Sequence, residues 1–338
     1  MSRHVDNKRL VRDAARRLDD APDGAAIAAT LADSCHPDAL WSCAQPLNDL
    51  RGPGEIAERL LLPLRRAMPD VERRDDILFA GRFADVDWVT ATGHYVGTFE
   101  RPLFGIPPTG GAAFLRFGAF HEVRDGRVGR TFLILDLIDL MRQAGVWTLP
   151  PSLGLECLVP GPATGDGVRL GEGDPVRSAR SQELVDAMLA GLGGYAGDED
   201  TLASMGQERF WHPNMMWYGP AGIGTTRGLK GFQDRHQRPF LRALPDRKGG
   251  DHKARFAEDR YVCSTGWPSL RATLKGPNWL GLPPTGTRVE MRVMDWWRRE
   301  GSLLRENWVL IDLLDVQIQC GLDPFDRLAF EAQRRGGA

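Results

Sequence analysis

Alternation of apolar and polar residues is clearest near the end of the chain. Residues 288–293 alternate between charged and apolar side chains, which predicts a strand that is buried on one face. Glu300-Gly301 then predicts a tight turn into a second strand, Leu303 to Ile311. Asp125-Gly126 predicts the same hairpin in the first half of the chain.

Helical patterns open and close each half of the chain. The predicted helices are residues 5–18, a short helix before His36-Pro37, Leu137–Ala144, residues 180–192, a short helix before His212-Pro213, and Leu313–Cys320. Gly145 and Gly321 follow the closing helices as C-terminal caps. Because helices precede a run of antiparallel strands in each half, the pattern predicts an α+β fold rather than alternating βαβ units.

The two halves are copies of one another, 176 positions apart. The matching pairs are His36-Pro37 with His212-Pro213, Trp41 with Trp217, residues 105–110 with 281–286, Asp136 with Asp312, and Gly145 with Gly321. A repeat of this length indicates two whole domains rather than a solenoid of short units. The loop at 105–110 and 281–286 contains two prolines, and we interpret it as a rigid turn at the rim of a pocket.

Proline and glycine mark the boundary between the copies. We predict copy one over residues 1–149, a linker over 150–175, copy two over 176–330 and a tail over 331–338. The linker is expected to run over the surface, packed by three leucines, Leu153, Leu155 and Leu158.

Composition excludes several classes of function. The 338 residues carry a net charge of −2, which provides no basic surface for nucleic acid. Five scattered cysteines without a Cys-x-x-Cys pair argue against a disulfide framework or a metal site. No apolar run is long enough to cross a membrane. We therefore expect a cytoplasmic protein that uses neither a metal nor another cofactor.

These repeated motifs resemble the SnoaL-like polyketide cyclase and ester cyclase family of the nuclear transport factor 2-like superfamily. The resemblance rests on the His-Pro pairs, Thr92-Gly93, the loops at 105–110 and 281–286, and Glu306-x-Trp308 before Asp312. It implies two cone-shaped, cystatin-like domains, each with helices packed against a strongly curved antiparallel sheet. It also implies an apolar pocket in which an Asp moves protons during ring closure.

The family's Asp matches Asp136 and Asp312, and two interpretations of these residues stay open. As bases at the mouth of a pocket, they would remove a proton next to a carbonyl. As residues between a strand and a helix, each followed by an acid three positions later, they would be N-caps. His94 is a further acid–base candidate, with hydrogen-bonded packing as the alternative.

Large aromatic residues are numerous, and copy two contains more of them than copy one. The candidates for substrate binding are Trp217, Tyr218, Trp308, Glu306, Trp41 and Trp296. The resulting hypothesis is a cofactor-independent cyclase or isomerase that acts on a small, largely apolar carbonyl compound. The alternative is a non-catalytic protein that binds an apolar or aromatic small molecule, in which the two copies pair as an internal dimer. Assembly into a higher oligomer is left open by the sequence.

Overall fold

The structure is a computed structural model that describes residues 3–198, 200–277 and 279–336. It divides into two compact units. Unit 1 consists of the chain up to Thr148, Ala163–Glu172 and the segment from Leu322 onward, and unit 2 consists of Leu149–Pro162 and Gly173–Gly321. The segment predicted as a tail is helical up to Gly336, and its last two residues lie outside the described part. The precise domain boundaries stay predictions.

Unit 1 contains helices packed on one open sheet. Its elements are α1 Arg3–Asp19, α2 Gly24–Ser34, β1 Cys35–Cys43, β2 Asp49–Arg51, α3 Gly52–Ile56, a π-helical turn Ala57–Leu61, α4 Leu62–Ala67, β3 Glu72–Phe83, β4 Val86–Thr98, β5 Ala112–Arg124, β6 Arg127–Leu135 and α5 Leu137–Gln143. The strand order is β2-β1-β6-β5-β4-β3.

Unit 2 repeats this order. Its elements are α6 Pro175–Gly193, β7 Trp211–Tyr218, β8 Thr225–Arg227, α7 Gly228–Phe232, a π-helical turn Gln233–Gln237, α8 Arg238–Ala243, β9 Lys248–Gly249, β10 His252–Glu258, β11 Tyr261–Thr273, β12 Arg288–Glu300, β13 Leu303–Ile311 and α9 Leu313–Gln319. The strand order is β10-β11-β12-β13-β7-β8, with β9 paired to β11. Helix α10, Pro324–Gly336, follows in the sequence and is counted with unit 1.

We expected a wholly antiparallel sheet in each domain. Each sheet instead contains one parallel pair of strands and is therefore mixed. Trp41 of β1 pairs with Thr131 of β6, and Trp217 of β7 pairs with Asn307 of β13. Both partners in the second pair are 176 positions after those in the first, so the register itself is repeated. The α+β class and the repeat of two domains are confirmed.

The predicted second helix is present in copy one and absent from copy two. Helix α2 ends at Ser34, whereas copy two has two 3-10 turns, Ala203–Met205 and Gln207–Arg209. Gly206, between the turns, has a φ of +56° that does not fit a continuous helix. The prediction of a helix before His212-Pro213 is therefore wrong, and both His-Pro pairs lie inside strands.

The linker pairs with the edges of both sheets through its backbone. Leu155 exchanges two hydrogen bonds of 2.8 Å with Thr225, the first residue of β8, and Leu78 of β3 pairs with Val168. The predicted packing of Leu153, Leu155 and Leu158 is wrong, since these side chains are 52–66% exposed. Backbone pairing holds the segment, and it also covers sheet edges that would otherwise carry unpaired N–H and C=O groups.

Candidate functional site

A cavity of about 210 Å³ lies inside unit 2, between the helices and the sheet. Met188, Leu189 and Leu192 of α6 form part of its helical wall. The sheet wall comes from alternate residues of two neighbouring strands. These are Met291, Val293, Asp295 and Trp297 of β12, with Asn307, Val309 and Ile311 of β13. The odd-numbered face of both strands therefore lines the cavity, as the two-residue period of a strand requires.

Asp295 is the acidic residue in this otherwise largely apolar wall. It lies deep in the unit yet keeps accessible surface, because that surface faces the cavity. Burial raises its pKa to about 7, since a charge is poorly solvated there. A hydrogen bond from Asn307 and the charge of Arg255 act in the opposite direction. Asp295 can therefore gain and lose a proton near neutral pH.

Stacked rings form another part of the wall. The His236 ring lies 4.3 Å from that of Trp217 and almost parallel to it, at 17°. Phe232 and Phe240 contact the other sides of the imidazole. Burial among these rings lowers the pKa of His236 to about 3, so the imidazole is neutral at physiological pH. The arrangement suits a flat, apolar ligand.

Unit 1 has a much smaller cavity of about 50 Å³, lined by Trp41, Asp19, Arg73 and Tyr95 among others. Arg73 forms an ion pair of 2.8 Å with Asp75, and burial raises the pKa of Asp19 to about 6. Copy one has Ala119 at the position 176 residues before Asp295. The carboxyl group of the larger cavity therefore has no counterpart in copy one.

Sequence comparison identifies the relatives of both halves. The model of the SnoaL-like polyketide cyclase family matches residues 12–144 and 200–320. The chain belongs to this family. No protein with a curated description matches the sequence.

Solved structures of similar fold each cover less than half of the chain. One, described as a SnoaL-like polyketide cyclase from Jannaschia sp. CCS1, is 18% identical over 44% of this chain and 97% of its own, with a TM-score of 0.37. IdmH from Streptomyces antibioticus, described as a polyketide cyclase, is 19% identical over 41% of this chain and 99% of its own, with a TM-score of 0.34. TerC, co-crystallised with polyporic acid, is 14% identical over 42% and 98%, with a TM-score of 0.31.

The two Asp residues that the family resemblance suggested as bases are helix caps. Asp136 Oδ1 accepts a bond of 3.2 Å from Asp139 N, and Asp312 Oδ1 accepts one of 3.1 Å from Asp315 N. Asp312 also pairs with Arg292 at 3.1 Å, and neither Asp lines the described cavities. The geometry favours the capping interpretation, and a catalytic role for either residue stays a prediction.

His94 lies in β4 and does not line either of these cavities. Its Nδ1 is 3.2 Å from Asp76 Oδ2, and the ring meets the edge of Phe114. The side chain is 93% buried. These contacts fit the packing alternative for His94, and its suggested acid–base role stays a prediction without support from the geometry.

The predicted substrate-binding residues divide between the two faces of each sheet. Trp217 lines the larger cavity and Trp41 the smaller one. Tyr218, Trp308, Glu306 and Trp296 do not line the larger cavity. The binding roles suggested for these six residues stay predictions. Tyr218 stacks on Trp308 at 5.3 Å, and its hydroxyl donates to Glu306 Oε1 at 3.3 Å. The physical reason is the phase of the strands, because the even positions face away from the cavity.

Asp295 was missed by the sequence analysis, although a signal was present. The apolar positions of the alternation are the odd residues from 289 to 293. Extending the same phase along the strand places Asp295 and Trp297 on that face. An acid on the apolar face of a strand costs folding free energy, so its presence there favours a functional role.

Gly281, the first residue of the proline loop at 281–286, lies at a second cavity of unit 2, about 200 Å³ in volume. Leu280, which precedes the loop, lines this cavity together with Pro150 and Pro151 of the linker segment. His236 lines both this cavity and the larger one. The interpretation of the loop as the rim of a pocket stays a prediction.

Within residues 3–198, 200–277 and 279–336, no three or more His, Cys, Asp or Glu side chains are grouped so as to hold a metal ion. Over the same part of the chain, no helix has the length and apolar character needed to span a membrane.

Proposed function

We propose that the cavity of unit 2 is the active site of a cofactor-independent cyclase or isomerase, with Asp295 as its acid–base group. The observation that carries this proposal is a carboxyl group with a pKa of about 7 in an apolar cavity. A general base works best when its pKa lies near the operating pH. The substrate class we assign is a small, largely apolar carbonyl compound.

The chemistry needs only one proton-transfer group. The Asp295 carboxylate removes a proton from a carbon next to a carbonyl, and the electron pair of that C–H bond forms an enolate. In an isomerisation, the carboxylic acid returns the proton to another carbon of the conjugated system. In a cyclisation, the enolate carbon forms a C–C bond with a second carbonyl carbon, and the proton goes to that carbonyl's oxygen. Neither the isomerisation nor the cyclisation requires an oxidant, a reductant or a metal.

Other residues of the wall support this role. Asn307 holds the Asp295 carboxyl from the neighbouring strand, with 3.4 Å between Asn307 Nδ2 and Asp295 Oδ1. Trp297 lies two residues along the same face of β12, and its indole N–H has no hydrogen-bond partner among the described residues. We assign this N–H as a donor to the enolate oxygen, where a preorganised dipole stabilises developing charge.

The test is exchange of a carbon-bound proton, which does not require the natural substrate. In D2O, the full chain should accelerate deuterium incorporation next to the carbonyl of 2-tetralone, followed by NMR. Asp295→Asn should lower this rate by about 10²–10⁴-fold, the usual contribution of a general base. Asp312→Asn is the matched control and should leave the rate within a few-fold of wild type. Equal rates for wild type and Asp295→Asn would refute the proposal.

A second function is favoured for copy one, that of a non-catalytic domain. The cavity of copy one has about a quarter of the volume of the cavity in copy two. Arg73 forms an ion pair with Asp75 there, and its backbone N–H donates to the Asp19 carboxyl. We propose that this copy contributes structure and no turnover, which retains the scaffold hypothesis for one half of the chain. Asp19→Asn should then leave the exchange rate unchanged. A large loss of rate in that variant would assign chemistry to copy one.

A further inference from the structure

Arg247 is a cation in the wall of the larger cavity, and the described residues give it no anionic partner. Its guanidinium lies over the Tyr195 ring at 5.2 Å, and Nη2 donates a long bond of 3.5 Å to Leu192 O. Burial lowers the pKa of Arg247, and the Tyr195 hydroxyl is the group that counteracts this effect. Within the part of the chain that the structure describes, no Asp or Glu forms an ion pair with Arg247.

Arg247 is half-buried, and the loss of part of its hydration makes a charge without a partner costly. The smaller cavity of copy one also contains an arginine, Arg73, although the position 176 residues before Arg247 is Val71. There, Arg73 donates from Nε to Asp75 Oδ1 at 2.8 Å, and it also hydrogen-bonds to Tyr95. Thus copy one neutralises its cavity arginine internally, whereas copy two leaves Arg247 available.

Other polar groups of the same cavity do not supply the missing charge. The Asp295 carboxyl is hydrogen-bonded to Asn307, and it forms no ion pair with Arg247 among the described residues. Gln207 already donates to Met188 O and Met205 O and accepts from Trp211 Nε1. His236 is neutral at physiological pH. The described residues therefore supply no anion to Arg247, and a ligand that enters the cavity can supply one.

We propose that Arg247 binds a carboxylate of the ligand, so that the substrate is an apolar carbonyl compound that also carries a carboxylate. The guanidinium offers a planar pair of donors that fits a carboxylate in two parallel hydrogen bonds. The stacked rings around Trp217 receive the apolar body, and Asp295 faces a separate part of the ligand. This inference rests on the proposed function only in placing the substrate in the same cavity.

The experiment compares two ligands of the same shape, 2-naphthoate and its neutral amide, 2-naphthamide. Affinities for the full chain are measured by titration calorimetry. Wild type should bind the acid at least tenfold more tightly than the amide. Arg247→Met should abolish this preference while changing the amide affinity less than threefold, and Arg247→Lys should retain part of it. Arg288→Met removes an exposed arginine from the same unit and should keep the full preference.

The outcomes separate this inference from the proposed catalytic role. Neither probe is turned over by proton abstraction, so binding is read independently of Asp295. Asp295→Asn should keep the preference for the acid even where it stops deuterium exchange. Equal binding of acid and amide by wild type, or an unchanged preference in Arg247→Met, would overturn the assignment of Arg247. Loss of exchange with the preference intact would leave it standing.

Discussion

Asn307 and Asp295 face one cavity from neighbouring strands, with 3.4 Å between Asn307 Nδ2 and Asp295 Oδ1. The two strands are antiparallel and pair Asp295 with Val309 and Trp297 with Asn307, so the contact is diagonal. Burial raises the pKa of the carboxyl, and the amide N–H stabilises its ionised form. The value of about 7 is the balance of burial against the hydrogen bond from Asn307 and the charge of Arg255.

Replacing Asn307 by Leu should therefore raise the pKa of Asp295 above 7. A lost hydrogen bond to the ionised form is worth about one pKa unit, so the deuterium exchange rate should rise with pH about one unit later. The measurement is the pH profile of exchange. Thr226→Val, which removes a buried hydroxyl that has no partner among the described residues, should leave the profile in place. An unshifted pH profile in Asn307→Leu would show that the Asn307 amide does not influence the pKa of the group that transfers the proton.

Stability should depend on pH through Asp295 with a defined sign. Its folded-state pKa, about 7, exceeds the ordinary Asp value of 3.8, so the folded state holds the proton more firmly between these two pH values. The unfolding free energy should fall as pH rises from about 4 to 7 and then level off. Asp295→Asn removes this loss of stability and should stabilise the protein by up to about 4 kcal/mol at pH 8, with little effect at pH 4. Urea denaturation at the two pH values measures the difference, and equal stabilisation at both would contradict the sign.

The sequence predicted the fold well because local signals agree with tertiary structure there. The alternation before Glu300 became β12, and Gly145 and Gly321 follow the closing helices with φ values of +72° and +81°. The phase of the strands was harder to predict. Both faces of β13 carry large side chains, so the pattern alone does not show which face the helices cover. Asp295 and Trp217 meet only after β7, β12 and β13 pair through irregular registers.

Asp312 should matter for stability more than for chemistry. Asp312→Ala removes the cap on α9 and the partner of Arg292, and it should lower the unfolding free energy by about 1–2 kcal/mol. Asp312→Asn keeps a capping oxygen and should lose less. Denaturation curves and exchange rates for the two variants give the comparison. A large drop in exchange for both, with stability retained, would restore Asp312 as the base.

Glu306 lies on the face of the sheet that points away from the larger cavity, so it should matter for stability more than for ligand binding. It forms a buried ion pair with Arg298 and accepts from the Tyr218 hydroxyl. Glu306→Gln should lower the unfolding free energy by about 2 kcal/mol, because Arg298 then keeps only the exposed partner Glu300. The affinity for 2-naphthoate should stay within twofold of wild type. A selective loss of affinity would place Glu306 in contact with ligand.

Arg73 differs from Arg247 because it forms an ion pair with a carboxylate, that of Asp75. Arg73→Met would leave Asp75 without its ion pair and should cost about 3 kcal/mol of unfolding free energy. Arg82→Met, which removes a half-exposed arginine from the same strand, should cost less than 1 kcal/mol. Binding of 2-naphthoate should be unaffected in both variants, because Arg73 lines the smaller cavity of unit 1 and Arg82 lines neither that cavity nor the larger one. Weakened binding in Arg73→Met with unchanged stability would instead show that copy one also binds the anion.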